Sequence, residues 1–234
     1  MTDPSAASAG PAGPSAAGPV RARWVGTLLG RAVWRAEVIG AERVPRTGPV
    51  VLAANHTGVA DGPLLFGLAP RPLHILVKEE MFHGVVGFFL RAAGQIPTDR
   101  AVGRSALLSG LAVLRRGGAV GIFPEGDRGR GAVESIRAGA AWMAVTGGVP
   151  LVPVAILGSR RSGESLGHLP GLRRRLVIEF GEPVMPDTAG TRRQQVERTS
   201  ETLRRAMSEL VVDAQRRTGL TLPEDDPHRD DGGA

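Results

Sequence analysis

The chain reads as a single α/β domain, a largely parallel, mixed sheet flanked by helices, with an N-terminal amphipathic helix. Three observations predict this class. Five short apolar runs rich in β-branched residues have the length of buried strands. Helical patterns fall between them, and strand–helix alternation builds parallel sheets. The 234 residues, 42% of them hydrophobic, suffice to bury a full core.

In chain order, residues 1–19 are almost entirely Ala, Pro, Gly and Ser, with Asp3 the only charge, and are expected to form a disordered leader. They lack the basic start and apolar stretch of a secretory signal. Residues 20–36 read as the amphipathic helix. Trp24, Leu28 and Val33 supply apolar positions, Arg21, Arg23, Arg31 and Arg35 supply charge, and a second tryptophan, Trp34, follows. Arginine with tryptophan on a short helix suits the headgroup boundary of a bilayer; packing on its own domain is the alternative. The predicted strands are Val50–Ala54, Leu73–Val77, Ala119–Phe123, Leu151–Leu157 and Leu176–Phe180. The predicted helices are Pro63–Leu68, Glu79–Ala93, Ala101–Arg116, Ile136–Thr146 and Thr191–Arg217. Within the second of these, Met81–Ala93 holds three of the six phenylalanines and reads by default as a core helix, with a bilayer surface as the alternative. No window reaches the roughly 18 uninterrupted apolar residues of a membrane span. The folded domain is expected over residues 20–217. Residues 218–234, with five acids and one base, are expected to be a disordered acidic tail.

Charge narrows the partners. The formal net charge is +6, and residues 20–217 concentrate it, with 28 bases against 17 acids. Lys78 is the single lysine. Such a surplus meets something anionic: nucleic acid, an anionic membrane surface or a phosphorylated substrate. The absence of cysteine excludes disulfides, thiolate catalysis and Cys-based metal sites, and no other metal-ligand cluster is visible.

Sites in such sheets form where strands end, and three strand-end segments carry chemistry. The first is Asn55-His56-Thr57-Gly58-Val59-Ala60-Asp61-Gly62-Pro63. On a regular helix His56 and Asp61 would face about 140° apart, so they meet only if the chain turns between them. Gly58, Gly62 and Pro63 permit a turn and then open a helix. A carboxylate on one imidazole nitrogen fixes the tautomer, leaving the other nitrogen to take a proton from a hydroxyl. The spacing alone arises by chance in about one chain in five of this composition, so it needs company. Its plainer reading makes Asp61 a helix N-cap and His56 an ordinary histidine. The second segment, Phe123-Pro124-Glu125-Gly126-Asp127-Arg128-Gly129-Arg130-Gly131, is glycine-rich with arginines that suit a phosphate; an exposed turn is the alternative. Glu125 there either accepts a ligand hydroxyl or ties down an arginine. The third, Gly94–Arg100, adds Arg100 as a further phosphate ligand or as part of a surface turn.

These blocks, followed by Val152-Pro153-Val154, resemble in their order the glycerolipid and lysophospholipid acyltransferase family, whose best-known members are 1-acylglycerol-3-phosphate acyltransferases. The resemblance spans roughly Glu37 to Val184 and includes Val77-Lys78-Glu79-Glu80-Met81-Phe82. It implies that His56 is the general base and Asp61 its orienter. It implies that the acceptor hydroxyl attacks the thioester of acyl-CoA or acyl-carrier protein directly, with no metal or other cofactor. It implies that Arg100, Glu125, Gly126 and Arg128 bind the acceptor headgroup, the arginines on its phosphate. A lysophospholipid acceptor, phospholipid biosynthesis and a cytoplasmic, peripheral place on the inner face of the cell membrane follow by the same resemblance. One residue departs from the pattern: the family commonly has Thr or Ser where this chain has Asp127, so the acceptor is less defined than the reaction.

Three other functions compete. One keeps the fold and dyad but acylates a different lipid or polar acceptor. Nucleic-acid binding draws on Arg160-Arg161 and Arg173-Arg174-Arg175, but nine aromatics without a tyrosine leave few stacking platforms, so no nucleic-acid partner is expected. A hydrolase lacks any Gly-x-Ser-x-Gly elbow.

Overall fold

Seven strands form one sheet: β1 (Arg35–Ile39), β2 (Val50–Ala54), β3 (Leu73–Lys78), β4 (Ile96–Thr98), β5 (Ala119–Ile122), β6 (Leu151–Leu157) and β7 (Arg175–Phe180). Their order is β1-β7-β6-β2-β5-β3-β4. The computed structural model describes residues 14–98 and 103–225. Every pairing is parallel except β6 with β7, so β6, β2, β5, β3 and β4 run one way and β1 and β7 the other. The C-terminal ends of five strands therefore share one edge of the sheet. The predicted α/β class with a largely parallel, mixed sheet holds. All five predicted strands are present, and β1 and β4, both partly polar or short, were not expected.

The described residues form six α-helices: α1 (Ala17–Leu28), α2 (Asp61–Leu68), α3 (Gly84–Ala92), α4 (Arg104–Arg115), α5 (Gly139–Gly147) and α6 (Arg192–Thr218). Alternation along β2 divides the core into two layers. Val51 and Ala53 pack with Leu111, Met143 and Leu203 from α4, α5 and α6. Val50, Leu52 and Ala54 pack with Leu64, Leu65 and Leu68 of α2, and with Trp34. The central strands are apolar on both faces because both faces are covered. Thr191 starts α6 with a capping box to Gln194, and Gly219 ends it in the left-handed region.

The N-terminal helix differs from its expected range. It begins at Ala17, is regular to Leu28, and passes through a π turn to Val33 before the chain enters β1. Residues 17–19 of the expected leader are thus helical. Trp34 is not at a surface: it is buried, and its indole N–H donates to Pro170 O at 2.9 Å. Helices α1 and α2 touch through Gly26 and Gly67, where a Cβ on Gly67 would strike the α1 backbone. The helix expected over Glu79–Ala93 is a short 3₁₀ turn, Glu79–Phe82, followed by α3. It is not a core helix. Phe82 and Gly87 are buried, while Val85, Val86, Phe88 and Phe89 are all more than half exposed. At the other end, Leu220 and Leu222 pack against the core beyond α6, and Asp225 pairs with Arg160, so 219–225 do not behave as the expected solvated tail. Residues 1–13 of the expected leader and 226–234 of the expected tail lie outside the described residues.

Candidate active site

Strand β2 ends at Ala54, and the next residue extends its pairing with a side chain. The Asn55 amide is fully buried. Its Oδ1 accepts from Ile156 N at 2.7 Å, and its Nδ2 donates to Ile156 O at 3.1 Å. The chain leaves the sheet anchored to β6 and turns sharply. Asp61, the first residue of α2, points back into this turn. Its Oδ2 accepts from Thr57 N at 2.7 Å and Gly58 N at 2.9 Å, and lies 2.9 Å from His56 Nδ1. Five-residue spacing that would separate the pair on a helix brings them together here. Asp61 does not cap α2 with its side chain; Ala60 stands at that position. Its carboxylate is wholly buried, and Oδ1 has no hydrogen-bond partner among the described residues. A carboxylate oxygen receiving two backbone N–H groups accepts from the imidazole as well, so Nδ1 carries the proton and Nε2 is left as the proton acceptor.

The loop after β5 grips the same residue. Glu125 Oε1 accepts the backbone N–H of His56 at 2.8 Å, and Gly129 N donates to His56 O at 3.0 Å. The Phe123 ring stacks on the imidazole, centroids 4.1 Å apart and planes 20° from parallel. Glu125 therefore ties down the His56 backbone and pairs with no arginine among the described residues. Burial is the main reason its carboxyl is pushed up to about 7. The N–H groups of His56 and Val133 pull the other way, and the nearby charges of Asp61 and Glu134 add to the rise. Gly126 has φ +84° and lies under the Arg137 guanidinium, where a Cβ would collide. Gly131, at φ +71°, leaves no room for a Cβ beside Thr57 and Asn55.

The cations sort differently from expectation. Asp127 pairs with Lys78, at the end of β3, and with Arg137, whose Nη2 lies 3.2 Å from Oδ2. It does not pair with its neighbour Arg128, which is half-buried and makes no ion pair among the described residues. Arg100 lies outside the described residues. Arg160, which reads in the sequence as half of a basic surface cluster, is fully buried. No group of three or more potential ligands for a metal is present among the described residues. Sequence reasoning missed Asn55, Phe123 and Arg160 as parts of this site. Their signal was position alone, since each lies at or just beyond the end of a strand on the same sheet edge.

The chain can now be set beside known proteins. A family model described as Acyltransferase matches residues 35–157. A 1-acyl-sn-glycerol-3-phosphate acyltransferase of Bacillus subtilis is 32% identical over 151 residues, covering 63% of this chain and 73% of that protein. One of Borreliella burgdorferi is 31% identical over 124 residues, 51% of this chain and 50% of that protein. The crystal structure of the 1-acyl-sn-glycerophosphate (LPA) acyltransferase PlsC from Thermotoga maritima has the same fold. Its TM-score is 0.62 at 22% identity, over 82% of this chain and 79% of that one. The matched residues run from β1 to the end of β6 and contain both gripping loops, and on that match the chain belongs to the acyltransferase family and is an acyl-transferring enzyme.

Proposed function

We propose that the chain transfers a fatty acyl group from acyl-CoA or acyl-carrier protein to the hydroxyl of a lysophospholipid such as 1-acylglycerol-3-phosphate, in phospholipid biosynthesis at the inner face of the cell membrane. The observation that carries the reading is the His56–Asp61 contact at 2.9 Å on the edge where five strands end. In this mechanism His56 Nε2 takes the proton of the acceptor hydroxyl as its oxygen attacks the thioester carbonyl. The C–O bond forms, the C–S bond breaks, and the thiolate leaves with the proton from the imidazolium. Asp61 keeps the ring in the tautomer that accepts at Nε2 and stabilises the imidazolium. Arg100 and Arg128 bind the acceptor phosphate, with the Glu125–Gly126 backbone shaping the loop beside it.

A bilayer supplies the acceptor. Trp24 and Leu28 of α1 and Phe88 and Phe89 of α3 are each more than half exposed, with Arg21 and Arg91 exposed on the same two helices and Arg31 exposed in the π turn after α1. Apolar side chains flanked by arginine suit the headgroup layer. No helix among the described residues is long and apolar enough to cross a membrane. One observation favours an acceptor other than a phosphate monoester: Asp127 pairs with both Lys78 and Arg137 and so offsets part of the positive charge a phosphate would meet.

Labelled acyl-CoA offered with a panel of lysolipids to the wild type and to His56→Ala tests the reading. The substitution is expected to lower turnover by about 10²–10⁴-fold or more with the far-UV spectrum unchanged. Near-normal turnover by His56→Ala would remove the dyad from the chemistry.

A further inference from the structure

Arg160 is the largest fully buried side chain among the described residues. A guanidinium has five N–H donors, and all five are placed. Nε donates to Thr57 O at 3.1 Å, and Nη2 to Gly129 O at 3.2 Å and Asp225 O at 2.9 Å. Nη1 donates to Glu164 O at 3.1 Å and Asp225 Oδ2 at 2.6 Å. Two of these acceptors belong to the residues that hold His56. Thr57 gives its N–H to Asp61, and Gly129 gives its N–H to His56 O. Ser159 adds a second tie, its Oγ lying 2.7 Å from Thr57 Oγ1.

The carboxylate that neutralises Arg160 comes from far along the chain. Asp225 lies seven residues beyond the end of α6, and its segment is seated by Glu224 N donating to Ser162 Oγ at 3.0 Å and Gly163 N donating to Asp225 Oδ1 at 3.3 Å. A buried guanidinium keeps its geometry only while its charge is compensated.

We propose that Asp225 is a positioning residue for acyl transfer: acting through Arg160, the segment after α6 is a latch that holds the loops 55–61 and 123–131 in register. The inference rests on the His56–Asp61 reading for its effect on turnover, but the latch itself is a matter of geometry. Loss of the carboxylate frees the guanidinium, the Thr57 and Gly129 carbonyls lose their common donor, and the imidazole drifts from the hydroxyl it deprotonates.

Asp225→Asn in the full chain tests this, assayed below the melting temperature of every variant. The kcat is expected to fall about tenfold or more with the KM for acyl-CoA within about twofold of wild type, because small misplacements cost rate rather than binding. Amide exchange in 55–61 and 126–131 is expected to accelerate about tenfold while β6 is unchanged. Asp225→Glu, which keeps the charge on a longer arm, is expected to fall between the two chains in both measures. It decides the question alone if Asp225→Asn does not fold. Wild-type kcat and exchange in the variant that folds overturn the proposal, and so does a lower kcat without faster exchange in the two loops. His56→Ala separates the layers. If it keeps turnover, the base assignment fails, and the exchange data still decide the latch.

Discussion

His56 is held by its main chain as firmly as by its side chain. Its N–H goes to Glu125, its carbonyl to Gly129, and its ring to Asp61 and Phe123. Glu125 makes this grip pH-dependent. Its carboxyl titrates near 7 in the folded chain and near 4.5 when free, so the protonated form favours folding. The sign follows from linkage: this contribution is fully present below about 4.5 and is lost as the pH climbs through about 7. Glu125→Gln keeps an oxygen for the His56 N–H but cannot ionise. Wild-type stability is expected to drop relative to this variant by about 2 kcal/mol between pH 5 and pH 8, read from urea melts at the two values. Parallel curves would show that Glu125 does not titrate in this range. Asp127 is expected to act on binding instead. Its two exposed ion pairs are each worth about 0.5 kcal/mol, so Asp127→Thr is expected to lower the KM for a phosphate-bearing acceptor by about fivefold, measured on the lysolipid panel. An unchanged KM would place Lys78 and Arg137 outside the acceptor's reach. At this scale the sequence showed the candidate base and its orienter and hid their supports. His56 and Asp61 stand out by residue type at a strand end, whereas Glu125 does not read there as a partner of the His56 backbone. Arg160 carries no such mark, because nothing in a run of arginines tells a buried guanidinium from a solvated one.

Helix α3 shows how an element can mislead when only its composition is read. Val85, Val86, Phe88 and Phe89 look like core, and a core helix of nine residues would bury one stripe. Instead Gly87 packs on the Phe82 backbone and the bulky side chains face outward. The apolar count was legible; the direction of the stripe was not, since the face that packs inward is made by Gly87 and not by a bulky side chain. Helix α1 was legible as a helix but not in its limits, because Trp34 resembles a surface anchor until Pro170 is seen to accept its N–H. Removing residues 1–36 is therefore a poor probe of membrane contact, since it also deletes Trp34 and the Gly26–Gly67 helix contact. Phe88→Ser with Phe89→Ser is the cleaner one. It is expected to weaken co-sedimentation with anionic vesicles by roughly tenfold or more. The melting temperature is expected to move by less than about 2 °C, since these side chains add little to the fold. Unaltered vesicle binding would direct the search for a docking face elsewhere.

Over the whole molecule, the strand order explains why residues far apart in sequence meet. Loops after β2, β5 and β6 share one edge, and the segment after α6 returns to it. Alternation of strands and helices predicted the class; it did not predict that β7 would run against β6 or that β1 would join at the far edge, since pairing partners leave no mark in a run of five residues. The bond between the β2 and β5 loops has a consequence for how this enzyme can change. The β5 loop holds His56 with the Gly129 backbone and the Glu125 carboxylate, whereas Asp127, between them, is partly exposed and pairs with Lys78 and Arg137. Asp127→Thr is accordingly expected to change acceptor affinity and to leave the His56–Asp61 contact in place. On the proposed function, acceptor preference and chemistry sit on separable side chains of one loop, so a single substitution at 127 is expected to shift the first and spare the second.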